Sequence, residues 1–192
     1  KNLDAVTRLL TQVPAGAHVT VAGITDNSFA QPYILLTANV GDDEGYFKER
    51  LVKSRQQLVL AWQAKTEHLA AHFRHTDILG ALLLASQVFQ QSDKGSNNLL
   101  VILSDMRQDT GELDLERRTE FQPDPLVAKL EQKGMIACLQ TIRVSVLGVD
   151  NTGKGIGYWN DLHVFWTVYF RKSGANIEGY SVLRDNPFRL GP

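Results

Sequence analysis

The residues with the clearest chemical potential stand at the end of one apolar run. Asn97-Asn-Leu-Leu-Val-Ile-Leu-Ser-Asp-Met-Arg107 carries five consecutive aliphatic residues, Leu99 to Leu103, and stops at Ser104-Asp105, with Asp109 four residues beyond. A hydroxyl and a carboxylate at the carboxyl end of a buried strand sit where open α/β sheets bind ligands. The same pair also turns chains and closes loops through side-chain hydrogen bonds, so turn and site are both open on these residues alone. His68, His72 and His75 have i, i+4 and i+3 spacing and on paper could approach zinc, but they lack the Glu of an H-E-x-x-H arrangement. Gly153-Lys-Gly-Ile-Gly157 has neither the phosphate-loop nor the dinucleotide spacing and reads as a loop. Cys138, the single cysteine, has no base near it in sequence and is expected to be a buried structural thiol. No G-x-S-x-G nucleophile motif occurs.

Elements must place these groups, and the chain supplies them in alternation. Leu3, Val6, Leu9, Leu10 and Val13 have helical spacing, and Pro14-Ala-Gly16 ends that helix. His18–Thr25 and Tyr33–Val40 read as strands, and their short link favours an antiparallel hairpin, with Pro32 pointing to an edge. A long helix is expected over 46–73, with Phe47, Leu51, Leu58, Trp62, Leu69 and Phe73 stacked on a packed face. Ile78 to Phe89 is apolar nearly all round and should lie deep, with Thr76 and Asp77 as natural caps. Ser92–Asn98 is a surface loop before the Leu99 strand.

Arg107 to Gln122 is polar and densely charged and reads as an exposed excursion. A helix follows, with Asp124 as N-cap, Pro125 at the first position and Gly134 at its end. Ile142–Val149 is a strand, Asn151–Gly157 a loop, Trp159–Ser173 an aromatic amphipathic helix closed by Gly174, and Asn176–Leu183 a last strand. Strands alternating with helices predict a doubly wound α/β fold. It would have a mostly parallel central sheet, helices on both faces and one antiparallel edge hairpin.

The chain of 192 residues reads as a single domain, 1–192, that begins on a helix. Its first residue is Lys1 rather than Met, and we expect the first central strand upstream of it. Apolar residues make up 43% and charged residues 21%, an ordinary globular balance. The net charge of -1 gives no argument for nucleic acid or an anionic membrane surface. No apolar run approaches the about 20 residues that span a bilayer.

Three segments carry a resemblance. Arg74-His-Thr-Asp-Ile-Leu-Gly-Ala-Leu82, Leu100-Val-Ile-Leu-Ser-Asp105 and Val144-Ser-Val-Leu-Gly-Val-Asp150 occur in the order of three motifs of the von Willebrand factor type A family, the integrin inserted-domain fold. In that family a divalent cation, usually Mg²⁺, sits in a metal-ion-dependent adhesion site and takes a carboxylate from a protein partner. The resemblance implies Thr76 and Asp105 as metal ligands, with Ser104 and Asp109 beside them, and a non-enzymatic protein-binding role. A hard, small Mg²⁺ held by few carboxylates suits such a role.

Two departures stand against it. The family's Asp-x-Ser-x-Ser motif is absent, Asp26-Asn-Ser28 being only a partial imitation that we read as a turn, and Met106 replaces the glycine after the aspartate. The alternative is the same fold used as a structural or assembly module without a working metal site. A hydrolase using Asp105 is a third reading, for which the sequence supplies no second acid, base or phosphate loop.

Overall fold

A computed structural model describes residues 1–67, 69, 73–92, 97–150 and 152–184. Its elements run α1 (Asn2–Leu10), β1 (His18–Gly23), β2 (Tyr33–Asn39), α2 (Glu49–Thr66), α3 (Ile78–Gln90), β3 (Leu99–Leu103), α4 (Pro123–Gln132), β4 (Arg143–Leu147), α5 (Ile156–Ser173) and β5 (Asn176–Ser181). This is the expected order of helices and strands. The chain divides into two units.

The first unit holds α1, β1, β2 and α2. β1 and β2 pair antiparallel as a two-stranded sheet, with a register shift between Val21 and Ala22. Leu10, Val13, Val40, Leu51, Leu58 and Trp62 form its core. The Trp62 indole N–H donates to the Leu3 carbonyl at 3.3 Å, which ties α2 to α1. The stripe expected along residues 46–73 is only partly packed. Phe47 is 83% exposed, because the helix begins later, at Glu49. Gly45 and Lys48 both have left-handed backbone (φ 78° and 62°), which holds the preceding loop out of the helix. Phe73 is also exposed.

The second unit contains the segment Ile24–Pro32 and everything from Phe73 to Leu183. β3, β4 and β5 form a parallel sheet in that order. Both crossovers, β3–α4–β4 and β4–α5–β5, step the same way along the sheet. The right-handed rule therefore places α4 and α5 on one face, where they pack together. α3 contributes Ile78, Leu79 and Leu82 to the core, and α5 contributes Leu162, Phe165, Trp166, Tyr169 and Phe170, all essentially inaccessible. The fold is the doubly wound type of α/β arrangement: a parallel sheet flanked by helices, together with an antiparallel hairpin.

Three local readings need correction. α4 starts at Pro123 with Gln122 as cap, two residues before the expected start; proline has no N–H to lose in a first turn, so either proline suits that place. Residues 107–122 are not an exposed excursion, since Leu113, Leu115 and Phe121 enter the core and Gln108 is inaccessible. Cys138 is exposed rather than buried. Gly174 does end α5, in left-handed conformation at φ 76°.

Candidate functional site

The carboxyl edge of the parallel sheet gathers the loop after β3, the loop after β4 and the start of α3. The segment before α3 is fixed first. Asp77 caps the helix, its Oδ1 accepting the Gly80 N–H at 2.9 Å. Its Oδ2 accepts the Ser28 N–H at 2.9 Å, and the Asp77 N–H donates to the Thr25 carbonyl at 2.7 Å. One carboxylate thus joins α3 to the segment Ile24–Pro32. Gly80 makes room for this: a Cβ there would lie 1.9 Å from Asp77 Oδ2.

Gln108 completes the cap from the β3 side. Its Oε1 accepts the N–H groups of Ile78 and Leu79 at 2.7 and 3.0 Å. Its Nε2 donates to Thr110 Oγ1 at 3.0 Å and reaches Asp77 Oδ1 at 3.5 Å. A helix start has orphaned N–H groups that must find acceptors. Here a buried glutamine from the polar segment supplies one. Sequence reading missed it because glutamine in a charged stretch carries no pattern signal.

The predicted site residues take different parts. Ser104 and Asp105 close the turn after β3: Ser104 Oγ accepts the Met106 N–H at 3.0 Å, and Asp105 Oδ1 accepts the Arg107 N–H at 3.1 Å. Met106 between these bonds has φ 65°, the conformation glycine accommodates. Its side chain is nonetheless fully buried, and its carbonyl accepts the Trp166 indole N–H at 2.8 Å. Thr76 and Asp109 are brought together by backbone pairing, each N–H donating to the other's carbonyl at 3.1 and 3.0 Å. The Asp109 carboxylate lies 2.9 Å from His75 Nδ1.

The loops are then tied to one another. Arg107 Nε donates to the Asp150 carbonyl at 3.0 Å and an Nη to the Thr152 carbonyl at 2.9 Å, while its other Nη approaches Glu116 at 3.5 Å. The Lys154 ammonium donates to the Glu116 and Arg118 carbonyls and lies 5.0 Å from the Tyr158 ring centroid. Burial pushes the Tyr158 phenol up to about 12, with the positive charge of Arg107 opposing. The Tyr180 phenol is raised as well, first by burial and then by the nearby Tyr158 and Asp105.

An open cleft of about 320 Å³ lies on the surface of this unit, bordered by Asp26, His75, Asp109, Asp114 and Arg117. Two of its carboxylates are already paired, Asp109 with His75 and Asp114 with Arg117 at 3.3 Å.

These contacts overturn the metal reading. Among the described residues no group of three or more His, Cys, Asp or Glu side chains is placed to hold a metal ion. The expected Mg²⁺ site built on Thr76 and Asp105, with Ser104 and Asp109 beside it, is therefore not supported, nor is a metal-mediated face for a partner's carboxylate. The physical reason is that Ser104 and Asp105 each accept a neighbouring backbone N–H in the turn, and the Asp109 carboxylate is engaged by His75. The zinc reading rested on His68 and His72, which lie outside the described residues. No helix among the described residues is long and apolar enough to cross a membrane. Comparison of the chain with protein-family models, curated proteins and solved structures finds no match in any of the three.

Proposed function

We infer that the chain is a von Willebrand factor type A-like module that serves as a non-enzymatic assembly part and works without a metal ion. The family assignment rests on the three ordered motifs ending at Leu82, Asp105 and Asp150. The assembly reading rests on one observation: polar groups at the carboxyl edge are spent on fixing loops to one another. Gln108, Asp77 and Arg107 between them accept or donate bonds to α3, to the segment Ile24–Pro32 and to the loop after β4. A binding site for a small substrate needs polar groups directed at the ligand, whereas internal cross-links of this kind hold a surface in fixed shape for a macromolecular partner.

The test combines three measurements on the purified chain and its native complexes. Thermal unfolding should be unchanged between millimolar Mg²⁺ and EDTA, because a ligand bound by the folded state alone would raise stability. Chemical cross-linking in the native setting should capture a stable protein complex that survives EDTA. A broad phosphatase and esterase screen should show no turnover. Turnover that disappears in Asp105→Ala, or a complex dispersed by EDTA, would overturn the reading.

A further inference from the structure

Phe47 stands four residues before Leu51, which is buried in the core of the first unit. One more turn at the start of α2 would carry its ring onto the same apolar face. The chain takes the opposite course. Lys48 adopts left-handed backbone at φ 62°, which residues with a Cβ avoid, and α2 starts only at Glu49. Phe47 is left 83% exposed and Tyr46 90%. Their rings pack edge to face, with centroids 4.7 Å apart, and project as one aromatic knob. An outlier backbone beside a large exposed apolar surface is the pattern of a surface kept for binding.

Bonds within residues 43–50 hold this shape. Glu49 Oε2 accepts the Phe47 N–H at 2.8 Å, and Asp43 Oδ1 accepts the Gly45 N–H at 2.8 Å. The Lys48 N–H donates to the Gly45 carbonyl at 3.3 Å. The Arg50 guanidinium pairs with Asp43, and the Lys48 ammonium with Glu44 at 3.4 Å. Both cations of the loop are thus spent inside it. Asp42 and Glu49 remain in excess, and the loop stays net negative even with Lys53 of α2 counted. Leu3, in the first turn of α1, is bonded to Trp62, about 20 Å along α2 from this loop.

We propose that Tyr46 and Phe47 form the anchor by which the chain docks into an apolar pocket of a partner protein, a pocket rimmed by lysine or arginine. Aromatic side chains on a pre-ordered loop make strong anchors, because little freedom is left to lose on binding. The surplus carboxylates set the sign of the rim. They also oppose an anionic bilayer surface, which attracts basic segments. A second copy fits less well. Two-fold pairing would bring the same negative loop against itself, and the open cleft of the second unit is bordered by Asp26, Asp109 and Asp114. This inference rests on the assembly reading and names the surface that reading uses.

The test places photo-reactive benzoylphenylalanine at position 47 of the whole chain in its native complexes. Illumination should join it to a protein, at a segment with apolar residues beside lysine or arginine. Replacing both rings, Tyr46→Ser with Phe47→Ser, should cut recovery of the complex at least tenfold and leave Tm unchanged, since neither ring packs in the core. Asp42→Lys reverses a charge outside the loop's bonds and should weaken the complex several-fold. On the purified chain, β-cyclodextrin with an amino-bearing rim should shift the Tyr46 and Phe47 ring resonances and bind at least tenfold tighter than its sulfated form. No cross-link, a cross-link to lipid, or equal binding of the two cyclodextrins overturns the proposal. Binding to phosphatidylcholine or phosphatidylserine vesicles that the serines abolish also overturns it, as does self-association in sedimentation that they abolish. A complex that survives both EDTA and the serines refutes the anchor and leaves the assembly reading standing. Asp105-dependent turnover refutes the assembly reading whatever the loop does.

Discussion

Replacing Gln108 by leucine removes polar contacts at nearly constant volume, so it isolates what this side chain does for α3. The residue is inaccessible to solvent, as are Ile78 and Leu79, whose N–H groups it accepts. Leucine can accept neither bond, and water has no route to replace them. An orphaned buried donor costs roughly 1–3 kcal/mol, so two of them set an expected loss of about 2–6 kcal/mol. Even the lower bound is a sizeable part of a typical domain's stability and should lower Tm by about 4–8 °C in a chain of this length. Gln108→Glu separates the two halves of the role. It keeps both acceptors at the helix start, where the dipole favours an anion, but loses the Nε2 donor to Thr110 and sets a charge near Asp77. It should therefore fall between wild type and Gln108→Leu. Urea unfolding gives the free energies, and native-state hydrogen exchange of Ile78 and Leu79 reports the local effect. Gln108→Leu within about 0.5 kcal/mol of wild type, the usual spread of inconsequential surface changes, would refute the capping argument. So would unchanged exchange at those two amides.

Three further perturbations have signs set by the same geometry. Gly80→Ala, ordinarily favourable in a helix by about 1 kcal/mol, should destabilise by about 1–2 kcal/mol because the Cβ expels the Asp77 carboxylate from its bonds to Gly80 and Ser28; in an Asp77→Ala background the same change should turn stabilising, and a double-mutant cycle measured in urea that shows no such reversal counts against it. Met106→Gly relieves a left-handed backbone costing about 1–2 kcal/mol but deletes a fully buried side chain worth about 2–5, so calorimetry should show a net loss of about 1–3 kcal/mol, and a neutral or stabilised variant would contradict the packing seen at that turn. Burial pushes the Tyr169 phenol up to about 12, above its ordinary value near 10, so the folded state resists its ionisation. The stability this contributes is full below pH 10 and is lost as pH rises from 10 to 12. Stability against urea should drop over that window by about 2–3 kcal/mol from this residue, and Tyr169→Phe should flatten the drop.

The fold was legible where periodicity and punctuation agreed. Strands β3 and β4 stand within a residue or two of their expected ends because unbroken aliphatic and β-branched runs stop at turn residues. The buried α3 followed from an apolar sequence with Asp77 placed to cap it. The start of α2 was not legible: Phe47 continues the apolar spacing, but Lys48 adopts a left-handed backbone that no propensity argument assigns to lysine. The segment 107–122 was misread for a related reason. Its charges describe the outer surface, while Gln108, Leu113 and Leu115 alternate inward too sparsely to register as a face. At the site, Ser104 and Asp105 were legible as residues that do something at a strand end. Which of two jobs they do depended on the Met106 and Arg107 amides, whose directions no sequence pattern states.

The carboxyl edge bears on function through what its polar groups already hold. At the carboxyl edge, side chains with ligand-binding chemistry form internal bonds, and Arg107 and Lys154 lie across two loops as cross-links. Loops cross-linked in this way resist the rearrangement that lids and induced-fit sites require, because opening them would strand several carbonyl and amide groups at once. Arg107→Ala removes the bonds to the Asp150 and Thr152 carbonyls, so it should speed amide exchange in the loop after β4, and unchanged exchange there would count against the cross-link.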